Sequence, residues 1–180
     1  MSKKEVAVKI SKKTRGILQK SKISLAFCPP KNTKLDFLIQ KCTELGVKKF
    51  IPVVSDHTVN RKINLTRLKK IIIETCEQSN QIQIPSIDEP LKFKDFKNIL
   101  SNELVLFADI KSKELSIEKI VHNEKKDYIL FIGPEGDFSQ KERKQINDNK
   151  NFKSFSLGDN ILRTETAAIV SLALLNYFIN

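Results

Sequence analysis

Short apolar runs alternate along the chain with segments whose apolar residues repeat at helical spacing. Five runs have the length of strands and lie at residues 23–27, 50–54, 104–108, 128–132 and 154–157. Because they carry few polar residues, they are typical of strands that are covered on both faces. The alternation therefore predicts an α/β fold with a mostly parallel sheet and helices on both faces.

Four segments have helical patterns, at residues 32–46, 65–79, 139–148 and 164–178. Thr33 and Asp36 have a spacing like that of a capping box, and Gly46 lies where the first helix should end. Ser139 and Glu142 form a capping box before the third helix. The last helix is apolar nearly all round, so we expect a second subunit to cover part of it.

The first 22 residues have a different pattern. Val6, Val8 and Ile10 alternate with Ala7 and Lys9, which predicts one short strand, and a polar stretch that we interpret as a linker follows. Eight basic residues and one acidic residue lie in this segment, so it carries +7 of the formal net charge of +11.

Composition and charge narrow the class of protein. The 180 residues are 40% hydrophobic and 29% charged, which is typical of one globular domain. The net charge of +11 favours an anionic partner, with nucleic acid as the first candidate. Coding bias is the competing explanation, because an AT-rich genome inflates lysine, and lysines are 27 of the 32 basic residues. A second basic cluster consists of Arg61, Lys62, Arg67, Lys69 and Lys70.

The sequence disfavours several kinds of site and location. Cys28, Cys42 and Cys76 are odd in number and form no C-x-x-C pair, so we expect buried reduced thiols and no metal site. His57 and His122 have no metal-ligand spacing either. No apolar run reaches 18 residues and no apolar signal segment follows the basic N-terminus, so we expect a cytoplasmic protein without a membrane span.

Two glycine-containing loops that follow neighbouring strand runs carry the strongest functional signal. GPEGD at residues 133–137 follows the run at 128–132, and the second loop begins at Leu157-Gly158. Neither matches G-x-x-x-x-G-K-[ST] or G-x-G-x-x-G, so the common phosphate and dinucleotide cradles are excluded. Taken alone, GPEGD is also explained as a strand-to-helix turn whose glycines supply unusual dihedral angles. Ligands bind beyond the carboxyl ends of parallel strands, so these loops and the loop after residue 108 should form one rim.

A specific family resemblance rests on both loops. FIGPEGDFSQKE followed by LGDNILRTETAA closely resembles the signature of the RsmE family, which are SPOUT-superfamily methyltransferases of 16S ribosomal RNA. IQKCTELGVKKFIPVVSDHT and CEQSNQIQIP are also similar to upstream motifs of that family. The resemblance implies methylation of N3 of a uridine in the 30S subunit, with S-adenosyl-L-methionine as the cofactor. It also implies a homodimer and a SPOUT-type α/β knot with a trefoil knot at the C-terminal end.

The resemblance also assigns roles to individual residues. Arg163 is the candidate catalytic residue, because a cation beside N3 stabilises the anion that forms there. The alternative is that Arg163 only pairs with Glu165, which we interpret as structural, or with a backbone carbonyl. Gly133 and Gly136 are expected to let the backbone approach the cofactor. The implied cofactor pocket maps onto Phe107, Ile132, Gly133, Pro134, Glu135, Gly136, Leu157, Gly158, Ile161 and Leu162. The RNA-binding surface is predicted from the charge distribution and not from the resemblance, and it is the second basic cluster, Arg61, Lys62, Arg67, Lys69 and Lys70.

Three positions depart from the family pattern. Asp137 stands where the family usually repeats glycine, and we expect its carboxylate to cap the next helix or to narrow the pocket. Gln81 stands where an arginine is common, which predicts a weaker contact with RNA. His57 lies where the family more often has arginine, and its place after the second strand makes it a poor candidate for a base.

The domain organisation implied by the resemblance divides the chain at residue 22. Family members begin with a PUA-like barrel, so residues 1–22 are interpreted as a remnant strand and basic linker of that barrel, and residues 23–180 as the methyltransferase domain. The alternative function is a truncated remnant that binds cofactor or RNA with little or no turnover. A non-enzymatic basic RNA-binding protein is a further alternative, which the two glycine loops disfavour.

Overall fold

A computed structural model gives the structure of the chain and describes residues 7–12, 21–96, 98, 100, 103–112, 117–121 and 127–179. The strands within these ranges are β1 Ile23–Phe27, β2 Lys49–Val54, β3 Ser86–Ile87, β4 Leu91–Lys92, β5 Leu104–Ala108, β6 Tyr128–Ile132 and β7 Phe152–Phe155. The helices are α1 Asn32–Glu44, α2 Leu65–Gln78, α3 Phe93–Phe96, α4 Ile117–Val121, α5 Gln140–Asn147 and α6 Thr164–Ile179.

All seven strands belong to one parallel sheet. Its order is β3-β2-β1-β6-β5-β7, and β4 pairs with β2 beside β3. All five residues of β6 are buried, as expected for a strand at the centre of the sheet. Because β6, β5 and β7 are consecutive in the sheet, the loops that follow them lie side by side at its carboxyl edge.

Helices cover both faces of the sheet. Ile23, Leu25 and Phe27 of β1 belong to one apolar core together with residues of α1, α2, α4 and α6. Ala26 and Cys28 point the other way into a second core, which contains residues of α3 and α5. The predicted α/β class, with a parallel sheet between two layers of helices, is confirmed. The trefoil knot stays a prediction.

The final strand lies two residues earlier than predicted, at Phe152–Phe155 and not at 154–157. It pairs with β5 from Val105↔Phe152 to Ala108↔Phe155, so both strands end at the same level. Two buried rings, Phe152 and Phe155, fix this register, although the first ring was left out of the predicted strand. The start of the strand was not recognised from the sequence because Lys153, a charged residue, lies between the two rings and faces outwards.

One of the two predicted capping boxes is confirmed and the other is wrong. Ser139 Oγ accepts the N–H of Glu142, and a carboxylate oxygen of Glu142 accepts the N–H of Ser139 at 3.0 Å. At α1 the N-cap is Lys31, with no side-chain cap, and Thr33 lies inside the helix. Asp36 instead forms an ion pair with Arg67 of α2, so a tertiary contact uses the carboxylate assigned to the cap.

The strand predicted near residue 10 is not formed by the residues that the structure describes. Residues 7–12 have no regular secondary structure, and Val8 and Ile10 are exposed. Val6 and most of the predicted linker lie outside the described residues, as does His122. The division of the chain at residue 22 therefore stays a prediction.

Candidate functional site

A pocket of about 520 Å³ opens at the carboxyl ends of β5, β6 and β7. The loops after these three strands form its walls, and the first turn of α6 closes one side. All ten residues predicted to bind the cofactor line this pocket: Phe107, Ile132–Gly136, Leu157, Gly158, Ile161 and Leu162. The structure thus brings both glycine loops to one concave site, whose ligand stays a prediction at this point.

Gly133 in the first loop has a packing role, and the expected approach of the cofactor to Gly133 and Gly136 stays a prediction. A Cβ at Gly133 would lie 2.6 Å from Cε2 of Phe138, whose ring is buried in the second apolar core. Neither Gly133 nor Gly136 has a positive φ; the left-handed residue of this loop is Asp137, with φ of 61°. Gly133 therefore makes room for the Phe138 ring, and the unusual dihedral angle belongs to an aspartate.

Asp137 neither caps α5 nor lies free. Ser139 is the cap, whereas Asp137 Oδ1 accepts the N–H of Phe138 at 2.7 Å and an N–H of Arg143 Nη2 at 2.5 Å. Partial burial acts to raise the pKa of Asp137, but the Phe138 hydrogen bond and the Arg143 ion pair outweigh it and hold this pKa below its ordinary value. The carboxylate is therefore ionised at neutral pH, on the wall of the pocket.

Arg143 is a pocket residue that the sequence did not single out. It lies in the first half of α5. Its Nη1 group donates to Asp109 Oδ2 at 2.6 Å, in the loop after β5. Asp109, Asp137 and Arg143 all line the pocket. No local sequence pattern signals the cluster, because its members lie in three separate segments.

Two more contacts hold the first loop from the opposite side. Lys34, at the start of α1, forms a 2.8 Å ion pair with Glu135. The His57 ring donates from Nδ1 to the carbonyl of Asp137 at 2.9 Å and is 3.2 Å from that of Gly136. Two carbonyl acceptors at Nδ1 place a proton there, so in the neutral ring the lone pair is on Nε2. The observed contacts of His57 hold the loop, and its interpretation as a poor base stays a prediction.

The second loop is more open. Within the described residues it has one hydrogen-bonded turn, in which Ser156 Oγ lies 3.1 Å from both the N–H and the carbonyl oxygen of Gly158. These bonds join residues only two positions apart. Gly158 has φ of 111°, which favours glycine. Ile161 lines the pocket yet remains 87% exposed, which is unusual for a large apolar side chain.

Arg163 follows this loop immediately before α6. Its backbone carbonyl accepts the N–H of Ala167 at 2.8 Å, so its main chain is fixed by the helix. The side chain is exposed and, among the described residues, pairs neither with Glu165 nor with a backbone carbonyl, which was the alternative to a catalytic role. Glu165 is buried and does not line the pocket, in keeping with its structural interpretation.

The predicted RNA-binding residues lie on the surface around the start of α2. The two arginines contact other residues of the protein. Arg67 pairs with Asp36, and Arg61 donates to the carbonyl of Asp56 at 2.7 Å. The lysines of the cluster are all exposed: Lys62, Lys69 and Lys70. His57, which contacts the first pocket loop, and Arg61 lie in the same loop after β2. The same loop therefore links the basic cluster to the pocket.

Gln81 has a structural role. Its side-chain amide donates to the carbonyl oxygens of Thr43 and Glu44 at 2.5 and 3.0 Å, at the C-terminal end of α1. Carbonyl groups at a helix end lack partners within the helix, so Gln81 supplies them. The amide is therefore occupied at the helix end, and the weaker RNA contact inferred from this position stays a prediction.

The cysteines are buried and unpaired, as expected. Burial raises the pKa of the Cys28 thiol to about 11 and that of the Cys42 thiol to about 12, so both are protonated at neutral pH. The described part of the chain contains no cluster of three or more potential metal ligands. No helix among the described residues has the length and apolar character that crossing a membrane requires.

Comparisons with known proteins agree on one family. The family of RNA methyltransferase domains matches residues 18–176. A ribosomal RNA small subunit methyltransferase E from Rickettsia conorii is 35% identical over 177 residues, which are 96% of this chain and 71% of the relative. The chain thus spans about two thirds of the length of the proteins that it matches.

Two solved structures extend the likeness to the fold. A ribosomal RNA small subunit methyltransferase E from Neisseria gonorrhoeae, bound to S-adenosyl methionine, has a TM-score of 0.78 and 28% identity over 86% of this chain and 65% of its own. A methyltransferase from Legionella pneumophila, in complex with the same cofactor, has a TM-score of 0.79 and 30% identity over 88% of this chain and 66% of its own. The likeness in fold therefore extends to proteins that hold S-adenosyl methionine.

Proposed function

This chain belongs to the ribosomal RNA small subunit methyltransferase E family, and from that premise we propose that it methylates N3 of a uridine in 16S ribosomal RNA, with S-adenosyl-L-methionine as the methyl donor. The observation that carries the proposal is the convergence of both glycine loops on one pocket of about 520 Å³. This volume falls in the range of about 300–1,000 Å³ that is usual for ligand sites.

The lining of the pocket fits this cofactor. Phe107, Ile132 and Leu162 offer apolar surface suited to an adenine ring. S-adenosyl-L-methionine supplies an electrophilic methyl group on a sulfonium. The residues of the chain have to orient that group, exclude water and manage the proton on N3.

Arg163 is the residue that we propose for the chemistry at N3. N3 of uridine is a weak imide acid, so it acquires negative charge as its proton leaves. The backbone of Arg163 is fixed by α6 beside the pocket. Its guanidinium is exposed and forms no ion pair among the described residues. It would stabilise the developing anion or hold the uracil ring in place.

A homodimer is part of the proposal. One face of α6 packs into the first core through Ala168, Leu172 and Leu175. Its other face exposes four large apolar side chains at helical spacing, Val170, Leu174, Tyr177 and Phe178. A contiguous apolar stripe of this kind favours burial against protein, and an identical stripe on a second copy satisfies the symmetry of a dimer.

Sedimentation equilibrium at micromolar concentration tests the dimer. Leu174→Asp should give a monomer because it places a charge in the stripe. The matched control is Ile73→Asp, since Ile73 is a similarly exposed apolar residue of α2. A wild-type chain that is monomeric, or equal behaviour of the two variants, would contradict the interface.

RNA binding is proposed for the surface around Lys62, Lys69 and Lys70, with residues 23–180 as the methyltransferase domain. Each lysine that neutralises a phosphate releases about one counterion, so the triple substitution to glutamine should weaken binding and flatten its salt dependence by a slope of about 2–3. Triple substitution of Lys94, Lys150 and Lys153, which lie outside this cluster, is the control. The proposal also places the protein in the cytoplasm, where small subunits are found.

The activity itself is tested in two steps. Isothermal titration with S-adenosyl-L-methionine should show binding to the wild-type chain, and labelled methyl groups should then enter 30S subunits at one uridine, mapped in the extracted RNA. Absence of cofactor binding would refute the proposal. Binding without methyl transfer would support the alternative of a chain with little or no turnover.

A further inference from the structure

A single guanidinium connects two walls of the pocket. Arg143 comes from the first half of α5, directly after the GPEGD loop. Its two Nη groups donate in different directions, to Asp109 Oδ2 at 2.6 Å and to Asp137 Oδ1 at 2.5 Å. Asp109 follows β5 and Asp137 follows β6, so the side chain bridges the loops after two neighbouring strands. The planar fork of arginine makes such a bridge in a way that a lysine ammonium does not.

The Asp109 side of the bridge is the more buried. Only 10% of the Asp109 side chain is exposed, and its other oxygen, Oδ1, accepts the N–H of Lys111 at 3.0 Å. A carboxylate that is this buried is destabilised when its cationic partner is removed. Arg143 therefore stabilises the charge of Asp109 and, through it, the turn that leads to Lys111.

The Asp137 side of the bridge restrains an unusual backbone. Asp137 has φ of 61°, a region that most non-glycine residues avoid and that aspartate tolerates better. Its carboxylate is held by Arg143 on one side, while His57 holds its carbonyl on the other. Lys111 lies within 3.5 Å of the second carboxylate oxygen but is largely exposed, so it contributes less.

We propose that Arg143 is a positioning residue that clamps the loops after β5 and β6 together, and so fixes the shape of the pocket before a ligand enters. This inference rests on the proposed function in naming S-adenosyl-L-methionine as the ligand, while the clamp itself is a property of the free protein. A wall that is already in place costs less ordering when the ligand binds, so affinity improves without any contact between Arg143 and the ligand.

Hydrogen exchange in the cofactor-free protein tests the clamp directly. Arg143→Gln should accelerate the exchange of backbone amides at residues 109–111 and 133–138, while exchange in β1 and β2 stays unchanged. Lys144→Gln is the matched control, because it removes one positive charge from the neighbouring exposed position of α5. Arg143→Lys should behave between the two, since an ammonium can keep one of the two ion pairs. Equal exchange in Arg143→Gln and wild type would overturn the proposal whether or not the cofactor binds.

Ligand titration then tests the consequence for the site. Reordering two or three side chains corresponds to a loss of at least about fivefold in affinity, so Arg143→Gln should raise the Kd by that factor and Lys144→Gln should not. The loss should be equal for S-adenosyl-L-methionine and S-adenosyl-L-homocysteine. If Arg143 acts through its field instead, removing a positive charge favours the cationic sulfonium, and a selective gain for S-adenosyl-L-methionine would overturn the clamp.

A double-mutant cycle separates the two sides of the bridge. In Asp137→Gly the backbone no longer needs a restraint at the left-handed position and the ion pair is absent. Adding Arg143→Gln to that background should therefore cost less affinity than it costs in the wild type. Strict additivity of the two changes would show that Arg143 does not act through Asp137. A wild-type chain that binds no cofactor would refute the proposed function and leave the exchange experiment to decide on the clamp.

Discussion

The two loops that form the proposed cofactor pocket are held in opposite ways. The loop at residues 133–138 is tied to α1 by Lys34, to the loop after β2 by His57 and to the loop after β5 through Arg143. The loop at residues 157–162 has, within the described residues, one local turn around Ser156 and exposes Ile161. One pocket therefore combines a preformed wall with an open one.

This difference predicts that one loop contributes mainly to stability and the other mainly to ligand binding or turnover. Changes in the braced loop should lower the stability of the protein first and ligand binding as a consequence. Changes in the open loop and beside it should lower binding or turnover while the free energy of unfolding stays the same. The open loop also leads through Arg163 into α6, whose apolar face is exposed and is the proposed dimer face.

The largest effect is expected at Arg163, beside the open loop. Arg163→Gln should lower the rate of methyl transfer by about 100-fold or more, the usual cost of removing one group that stabilises a developing anion. Cofactor affinity and unfolding by urea should be unchanged. Arg163→Lys, which keeps the charge, should recover part of the rate. Rates of both variants that equal the wild type would show that Arg163 has no part in the chemistry.

Gly133→Ala tests the braced loop and should act on stability. The new Cβ would lie 2.6 Å from the Phe138 ring, which is packed among other rings of the second core. Overpacking of this kind costs about 1–3 kcal/mol in the free energy of unfolding. Gly136→Ala is the control, because its Cβ would make an ordinary 3.6 Å contact with His57. Urea denaturation of the two variants measures the difference, and equal stabilities would mean that the ring moves aside freely.

The five longer strands and the ligand rim were predictable because they depend on local patterns. Runs such as YILFI have no polar face, and only a strand covered on both sides suits them. The convergence of the two glycine loops followed from the topology of parallel sheets. Ser139 and Glu142 are three positions apart, so the capping box could also be found without tertiary information.

Four short elements, β3, β4, α3 and α4, were not predicted, because each has only two to five residues and therefore no recognisable period. The features of the pocket that were missed are tertiary. Asp109, Asp137 and Arg143 meet only because β5 and β6 are neighbours in the sheet, which the order of strands along the chain does not determine. The space that requires glycine at 133 belongs to the Phe138 ring, five residues further along.

Gly158→Ala is an exception to the contrast between the two loops. Gly158 lies in the open loop, but the substitution should still lower the stability. An L-residue at φ of 111° is strained by roughly 1–2 kcal/mol, although nothing lies within 4 Å of the new Cβ. Gly46→Ala is a matched control, since Gly46 has φ of 77° and equally open surroundings after α1. Both variants should lose similar stability in urea denaturation, and only Gly158→Ala should weaken cofactor binding. Unchanged binding in Gly158→Ala would show that this part of the loop does not contribute to cofactor binding.

The smallest effect, and the sharpest test of an open wall, is expected at Ile161. Its side chain lines the pocket but is 87% exposed in the free protein, so it contributes little to folding. Ile161→Ser should therefore change the free energy of unfolding by less than about 0.5 kcal/mol. If a ligand covers about half of the side chain, the lost burial corresponds to roughly tenfold in the Kd for S-adenosyl-L-methionine.

The control for Ile161 is Ile84→Ser, because Ile84 is also more than half exposed but does not line the pocket. Both variants should unfold at the wild-type urea concentration, and only Ile161→Ser should bind the cofactor more weakly. A stability loss in Ile161→Ser would mean that the loop packs against the protein before the ligand arrives. The second wall would then be preformed like the first, and the contrast between the two loops would fail.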